Sequence, residues 1–391
     1  MQANFLYSFC LWIFWLSGLL LFYTYIGYGI LMQVINLLKR GRGHKLPASG
    51  LTKEFDLPSV CIIVPAYNEA NCLDEKIRNT LSLHYPADKF QVLVITDGST
   101  DKSPGIVLHY PSVVHLHQPE RAGKTAALNR AVAHTRASVL VFSDANAILN
   151  RDSLLLLVNH FADPDVAAVA GEKKIEQTDW GANKEGMYWQ YESWLKKLDA
   201  ENGSVMGAAG ELFAIRRELY EPLPPNIILD DFVQSLQVVI RGYRLVYEPL
   251  AFAQERPSAS VKEEMKRKIR IAAGAFQAMI RLKPLFNIFR YPGDAFRFIS
   301  HRVLRWTVCP PALLLLLLSN ICIFISGDSL FYALCLLLQL MFYLAAFLAM
   351  IFQKLRWKAG ILGLPYYFLQ MNISVCIGFI RFMTGGQSVL W

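Results

Sequence analysis

The run from Phe5 to Leu38 contains no Lys, Arg, Asp or Glu. It is long enough to cross a hydrocarbon core of about 30 Å. A cleavable signal would begin with a basic region and carry a shorter apolar stretch; here the first basic residue is Lys39, after the run. The segment therefore reads as a retained span that enters from outside and ends in the cytosol. Three further apolar segments follow near 304–326, 330–352 and 360–383. The turn Ser326-Gly327-Asp328-Ser329 has no Lys or Arg and suits the outer face. Gln353-Lys354-Leu355-Arg356-Trp357-Lys358 is basic and suits the inner one. The last segment has Pro365 near its start and Arg381 near its end, and either crosses or lies partly in the interface.

The whole chain is 54% hydrophobic and 18% charged, too apolar for a wholly soluble protein. Between the membrane segments, however, the composition is that of an ordinary globular domain, and 391 residues accommodate about 250 of them there. The net charge of +8 sits mainly beside the apolar segments, at Lys39, Arg40, Arg42 and Lys45 and again from Arg281 to Arg305. That placement is the positive-inside pattern and argues against nucleic acid as a partner. Asp294 to Trp306 alternates apolar Phe296, Phe298, Ile299 and Val303 with Arg297, His301, Arg302 and Arg305. This predicts an amphipathic helix against an anionic leaflet, or a basic collar on the next span. Seven scattered cysteines, with no CxxC pair, read as small buried hydrophobes rather than a disulfide framework or zinc site.

From residue 57 onward, short β-branched runs alternate with helical stretches, which predicts an α/β domain with a mostly parallel sheet. Strands are expected at Val60–Val64, Gln91–Thr96, Val113–His117 and Val139–Ser143. Helices are expected at Leu73–Ser82, Thr125–Thr135 and Arg151–Phe161. Ligands of open α/β sheets bind at the carboxyl ends of strands. Here those ends are Pro65-Ala66-Tyr67-Asn68-Glu69, Asp97-Gly98-Ser99-Thr100-Asp101 and Ser143-Asp144-Ala145-Asn146. Each carries an acidic side chain able to grip a base, a ribose or a metal-bound diphosphate. Gly123-Lys124-Thr125 is not a phosphate-binding P-loop, because Gln118 stands where that loop needs glycine.

These tips, in this order, resemble the membrane-bound family 2 glycosyltransferases of GT-A fold, the group of the cellulose, hyaluronan and poly-N-acetylglucosamine synthases. The resemblance covers about residues 55–310. It implies that Pro65, Tyr67 and Glu69 form the first nucleotide-binding tip, with Tyr67 and Glu69 near uracil and ribose, and that Asp97 contacts the base. Lys124 and Asn129 match an element near the diphosphate and sugar. Asp144 and Asn146 match the D-x-D position that holds Mg²⁺ or Mn²⁺, with an amide in place of the second carboxylate. Leu229-Asp230-Asp231-Phe232 resembles the T-E-D element, which makes Asp231 the expected general base beside Asp230; the two also suit the cap of a helix over 232–241. Arg270 matches the arginine that faces the diphosphate, while Ile271 replaces a tryptophan that stacks under the acceptor sugar.

Softer features are Gly207-Ala208-Ala209-Gly210-Glu211, either an acceptor-side lining or a turn before a strand Leu212–Arg216, and Trp189, Tyr191 and Trp194 on a helix 184–200, more in keeping with packing than with sugar stacking. The expected layout is a transmembrane segment 1–38, a linker 39–56, a cytosolic GT-A domain 57–280, an interfacial region 281–303 and membrane segments 304–391. The implied function is inverting transfer from a UDP-sugar to a hydroxyl acceptor, glycan or lipid-linked, at the inner face of a bacterial-type plasma membrane. Polysaccharide synthesis, with an export partner of unknown identity, is favoured over addition of a single sugar to a lipid-linked acceptor. A transporter that merely senses nucleotide-sugar fits less well, because a sensor needs no base and the spans carry few charges.

Overall fold

The computed structural model describes residues 2–41, 56–176, 182–256, 261–355, 357 and 360–388. Most of the expected linker, residues 42–55, lies outside them. The chain divides into two compact units, Met1–Ile35 with Ala259–Phe276 and Phe296–Gly385, and Asn36–Ser258 with Gln277–Ala295 and Gly386–Trp391.

The second unit is built on one eight-stranded sheet. Its strands are β1 (Val60–Ala66), β2 (Phe90–Asp97), β3 (Val113–Gln118), β4 (Val139–Phe142), β5 (Ala147–Leu149), β6 (Val166–Ile175), β7 (Phe213–Arg216) and β8 (Arg244–Glu255). The spatial order is β3-β2-β1-β4-β7-β6-β8-β5. Pairings β3–β2, β2–β1, β1–β4 and β6–β8 are parallel, whereas β4–β7, β7–β6 and β8–β5 are antiparallel. The sheet is thus more mixed than the repeating strand–helix pattern implies. Strand β1 is buried along its whole length, as a central strand with Val, Ile and Cys on both faces must be. Each fully buried Ile or Val there contributes about 1.5–3 kcal/mol. The four expected strands and three expected helices form within two residues of their predicted limits.

This topology positions a site. The chain leaves β1 toward β2 on one side and finds β4 on the other, so a crevice opens between the ends of β1 and β4. Strand β7 runs antiparallel to β4 and pairs Phe213 with Phe142, which brings the residues just before β7 beside those just after β4.

The first unit is helical. Four helical stretches, Phe5–Lys39, Cys309–Ser326, Leu330–Lys354 and Gly360–Met383, are long and apolar enough to cross a membrane. The first is interrupted by a wider π turn at Tyr23–Gly27. Inside the unit, Cys10 and Phe14 pack on Ile323, and the Trp15 indole N–H donates to the Tyr332 hydroxyl. Gly378 is required by contact: a Cβ there would lie 2.5 Å from that of Ala272 on the helix Val261–Arg281.

Two expectations are corrected. Pro292–Thr307 is helical, but Arg297, His301 and Arg305 are buried rather than turned to a leaflet surface. They recur every fourth residue, so one face is covered by the protein itself. The cysteines are all unbridged among the described residues, but only Cys10, Cys61 and Cys309 are buried; Cys72, Cys322 and Cys335 are partly exposed and Cys376 is exposed.

Candidate active site

Two strand-end loops are knitted together first. Asn68 adopts a left-handed backbone, φ 54°, which asparagine tolerates better than most residues. Its Oδ1 accepts the Thr100 N–H at 2.8 Å. The Glu69 N–H donates to Ser103 Oγ at 2.9 Å, and the Ala70 N–H to Asp101 Oδ2 at 3.0 Å. Asp101 also accepts the Ser103 N–H at 2.9 Å; burial opposes its ionisation, but these hydrogen bonds prevail and hold its carboxyl below the usual range. Tyr67 carries the Arg121 guanidinium 3.4 Å from its ring centroid. Sequence reasoning missed Arg121; its signal is its place two residues before the Gly123-Lys124 element. Burial, more than any neighbour, raises the Glu69 carboxyl above its ordinary value.

Asp97, at the end of β2, is engaged by the backbone that follows β3. It is 0% exposed, and its Oδ2 accepts the N–H groups of Ala122 at 3.0 Å and Gly123 at 2.7 Å. The carboxylate therefore fixes the turn that launches helix Lys124–Ala133, where Gly123 takes φ 96°. The Asn129 Nδ2 donates to the Leu223 carbonyl at 2.7 Å and its Oδ1 accepts the Tyr220 hydroxyl at 2.8 Å, so it holds the segment 220–223.

The remaining residues converge. From the start of that helix, Lys124 Nζ reaches Asp144 Oδ1 at 2.7 Å, with 18% and 31% of the two side chains exposed. Thr125, the next residue, donates to the Ile227 carbonyl at 3.1 Å. This brings the segment leading to helix Asp230–Ile240 alongside, with Asp230 and Asp231 in its first turn, where carboxylates complement the helix dipole. Gly210 lies at the meeting point. A Cβ there would be 2.9 Å from Lys124 Nζ, 3.3 Å from Asp231 Oδ2 and 3.4 Å from Asp144 Oδ2. Gly207 is equally constrained, at φ 100° with a virtual Cβ 2.3 Å from the Phe232 ring. The small residues are thus both a turn and a wall of the site. One cavity is lined both by apolar Leu128, Phe142 and Phe213 and by Lys124, Asp144 and Asp231.

Burial, and then the Asp230 charge, push the Asp231 carboxyl up to about 7. Burial alone would lower Lys124, but the carboxylates of Asp144, Asp230 and Asp231 hold it above the usual lysine range. The arrangement is a carboxyl poised near neutrality beside a cation, the pairing that general-base chemistry can use. Asp144 and the exposed Asn146 offer oxygen donors of the type a hard divalent cation takes. Among the described residues no group of three or more His, Cys, Asp or Glu gathers into a cage. These donors suit a cation that is also bound by substrate phosphates, as Mg²⁺ commonly is. Arg270 stands on helix Val261–Arg281, in the part belonging to the helical unit. Trp189 lies with Lys173 Nζ 5.3 Å and Lys196 Nζ 5.7 Å from its ring, and Tyr191 packs on Trp194.

Comparison with known proteins agrees with this geometry. Residues 61–223 match the model for glycosyl transferase family 2. A poly-beta-1,6-N-acetyl-D-glucosamine synthase of Staphylococcus aureus (strain MSSA476) is 23% identical over 235 residues, 58% of this chain and 57% of that protein. A beta-monoglucosyldiacylglycerol synthase of Synechocystis is 30% identical over 210 residues, 51% of this chain and 42% of that protein. The match thus spans about half the length of these curated relatives. Among solved structures, the mannosyltransferase PcManGT from Pyrobaculum calidifontis, in complex with GDP-Man and Mn²⁺, superposes with a TM-score of 0.70 at 23% identity, covering 96% of this chain and all of that one. Strand tips, fold and family match coincide over residues 61–223.

Proposed function

We propose that the chain transfers a sugar, with inversion, from a nucleoside diphosphate donor to a hydroxyl acceptor at the inner face of a membrane, in the synthesis of a surface polysaccharide. The observation that carries this reading is the convergence of Lys124, Asp144 and Asp231 on Gly210. Asp231 accepts the proton of the attacking hydroxyl as that oxygen bonds to C1 of the donor sugar. The C1–oxygen bond to the diphosphate breaks on the opposite face, and its electron pair leaves with the nucleoside diphosphate. Lys124 offsets charge on the departing phosphate, with Arg270 assigned the same role by resemblance. Tyr67, Glu69 and Arg121 border the nucleoside. A divalent cation held by Asp144 and Asn146 would supply further charge compensation to the leaving group. The names of the relatives and the Mn²⁺ of the mannosyltransferase complex support these assignments.

Uridine is the first expectation for the base, and the GDP-Man of the mannosyltransferase complex makes guanosine the second. A second reading, addition of one sugar to a lipid-linked acceptor, is favoured by Ile271, 41% exposed, where a polymer synthase is expected to present tryptophan. The test is nucleoside diphosphate release by the purified, detergent-solubilised protein from UDP-glucose, UDP-N-acetylglucosamine and GDP-mannose, with Mn²⁺ or Mg²⁺ and native lipid. Asp231→Asn is expected to lower kcat by about 10²–10⁴-fold with an unchanged melting temperature. Metal-dependent release that persists in this variant would remove Asp231 as the base. Product sizing separates polymer from single addition.

A further inference from the structure

We propose that Lys76 is a positioning residue for the metal loop Asp144-Ala145-Asn146; the inference rests on the proposed metal role of that loop. Lys76 sits on helix Leu73–Leu81 and is 0% exposed, between Leu73 and Ile77 on its core-facing side. An isolated ammonium in such a place is costly, and a methionine would fill the same volume without that cost. What lysine adds is a set of directed donors. Its Nζ donates to Ser143 Oγ at 2.6 Å and to the Ala147 carbonyl at 2.5 Å, the residues immediately before and after the loop.

The clamp extends in two directions. Ser143 Oγ passes the chain on by donating to the Glu211 carbonyl at 2.8 Å, beside Gly210. One turn along the same helix, Asn79 donates to the Leu149 carbonyl at 2.8 Å and accepts the Leu149 N–H at 2.8 Å. A single helix therefore grips residues 143, 147 and 149. That helix begins where the Cys72 and Leu73 N–H groups bond the Glu69 carbonyl at 3.0 and 2.9 Å, at the first nucleotide-side tip. The separation between the two halves of the donor site is set through Lys76, which itself touches neither metal nor donor.

Charge and position make opposite predictions. Burial lowers the Lys76 ammonium to about 7, and removing the charge it keeps would tighten a nearby divalent ion if charge were all that mattered. Releasing both ends of the loop would weaken it, as loss of an outer-shell partner does elsewhere by about 10–100-fold. The experiment is a Mn²⁺ titration of the full-length detergent-solubilised protein with UDP and with GDP, free Mn²⁺ being read by electron paramagnetic resonance. Wild type, Lys76→Met and the milder Ser143→Ala are compared, and melting temperatures are recorded for each. The expected result is a Kd for Mn²⁺ raised about 10–100-fold in Lys76→Met and less in Ser143→Ala, with turnover at saturating Mn²⁺ largely retained. An unchanged or lower Kd in folded variants overturns the role of Lys76 alone. Absence of Mn²⁺ binding by the wild type with either nucleotide overturns the metal reading beneath it, and is seen before any variant is made.

Discussion

In the half of the sheet formed by β3, β2, β1 and β4, the buried strand positions are mainly Val, Ile, Leu and Cys, and the carboxylates stand at strand ends, on Glu69, Asp97 and Asp144. In the half formed by β7, β6, β8 and β5, charge lies within the strands themselves: Glu172 and Lys173 on β6, Glu248 and Glu255 on β8, all buried. Lys173 there bridges Glu211 and Glu255, the latter at 2.5 Å; Tyr247 and Ser193 donate to Glu172, and His160 pairs with Glu248 at 2.8 Å. The first half keeps its carboxylates at its tips, and the polar groups inside its strands are neutral ones such as Thr96. The second holds its shape through paired charges, and it is the half that carries Gly210, Asp230 and Asp231. Buried pairs add little net stability, but breaking one leaves an uncompensated charge.

The largest difference between the halves should follow from that asymmetry. Lys173→Met removes the cation shared by the Glu211 and Glu255 carboxylates and should cost about 3–5 kcal/mol. Ile62→Val, an equally buried change in β1, should cost about 0.5–1.5 kcal/mol. Melting temperatures in the same detergent compare them directly. Equal shifts would mean that the ion network is dispensable and that the two halves are held alike.

The same contrast explains what could be read beforehand. The strand tips of the parallel half were legible because runs such as Val60–Val64 end abruptly in polar residues, and the sheet exposes those ends together. The roles of Asp97 and Asn129 were not, because their partners are remote in the chain: Gly123 lies 26 positions from Asp97 and Leu223 lies 94 from Asn129. A carboxylate at a strand end looks the same in sequence whether it faces a ligand or a backbone N–H. Nor does a repeat of four at Arg297, His301 and Arg305 say which face is covered. Lys76 did leave a signal, a basic residue between Leu73 and Ile77 on the stripe that a sheet-packed helix turns inward. The charged network on β6 and β8 left none, since its members are far apart in sequence.

A smaller effect is expected where the mixed half meets the donor side. Gly210→Ala inserts a methyl group 2.9 Å from Lys124 Nζ and 3.3 Å from Asp231 Oδ2, neither of which can stay in place. Displacement of the base and the cation by a fraction of an ångström to 1 Å should lower kcat by about 10²-fold, with little change in melting temperature because the site has an open side. Activity near that of the wild type would place the reacting groups away from Gly210.

The smallest effect, and the one that assigns pH sensitivity to one half, is the profile of kcat/KM. In the proposed role Asp231 accepts a proton only when ionised, and burial beside Asp230 raises its carboxyl to about 7. Below that pH the competent fraction falls about tenfold per unit, and above it the rate levels off. The direction is opposite to that of a general acid, which would lose activity as pH rises. Asp97, in the parallel half, keeps its carboxylate engaged with two backbone N–H groups and a partly exposed Arg130. Its substitution by asparagine should leave the profile's shape unchanged, even where it weakens donor binding by loosening the turn at Gly123. A profile of kcat/KM, measured from pH 5.5 to 8 at saturating Mn²⁺, that is flat in the wild type would detach the base from Asp231. A midpoint that moves in the Asp97→Asn variant would instead show the two halves to be electrostatically one site.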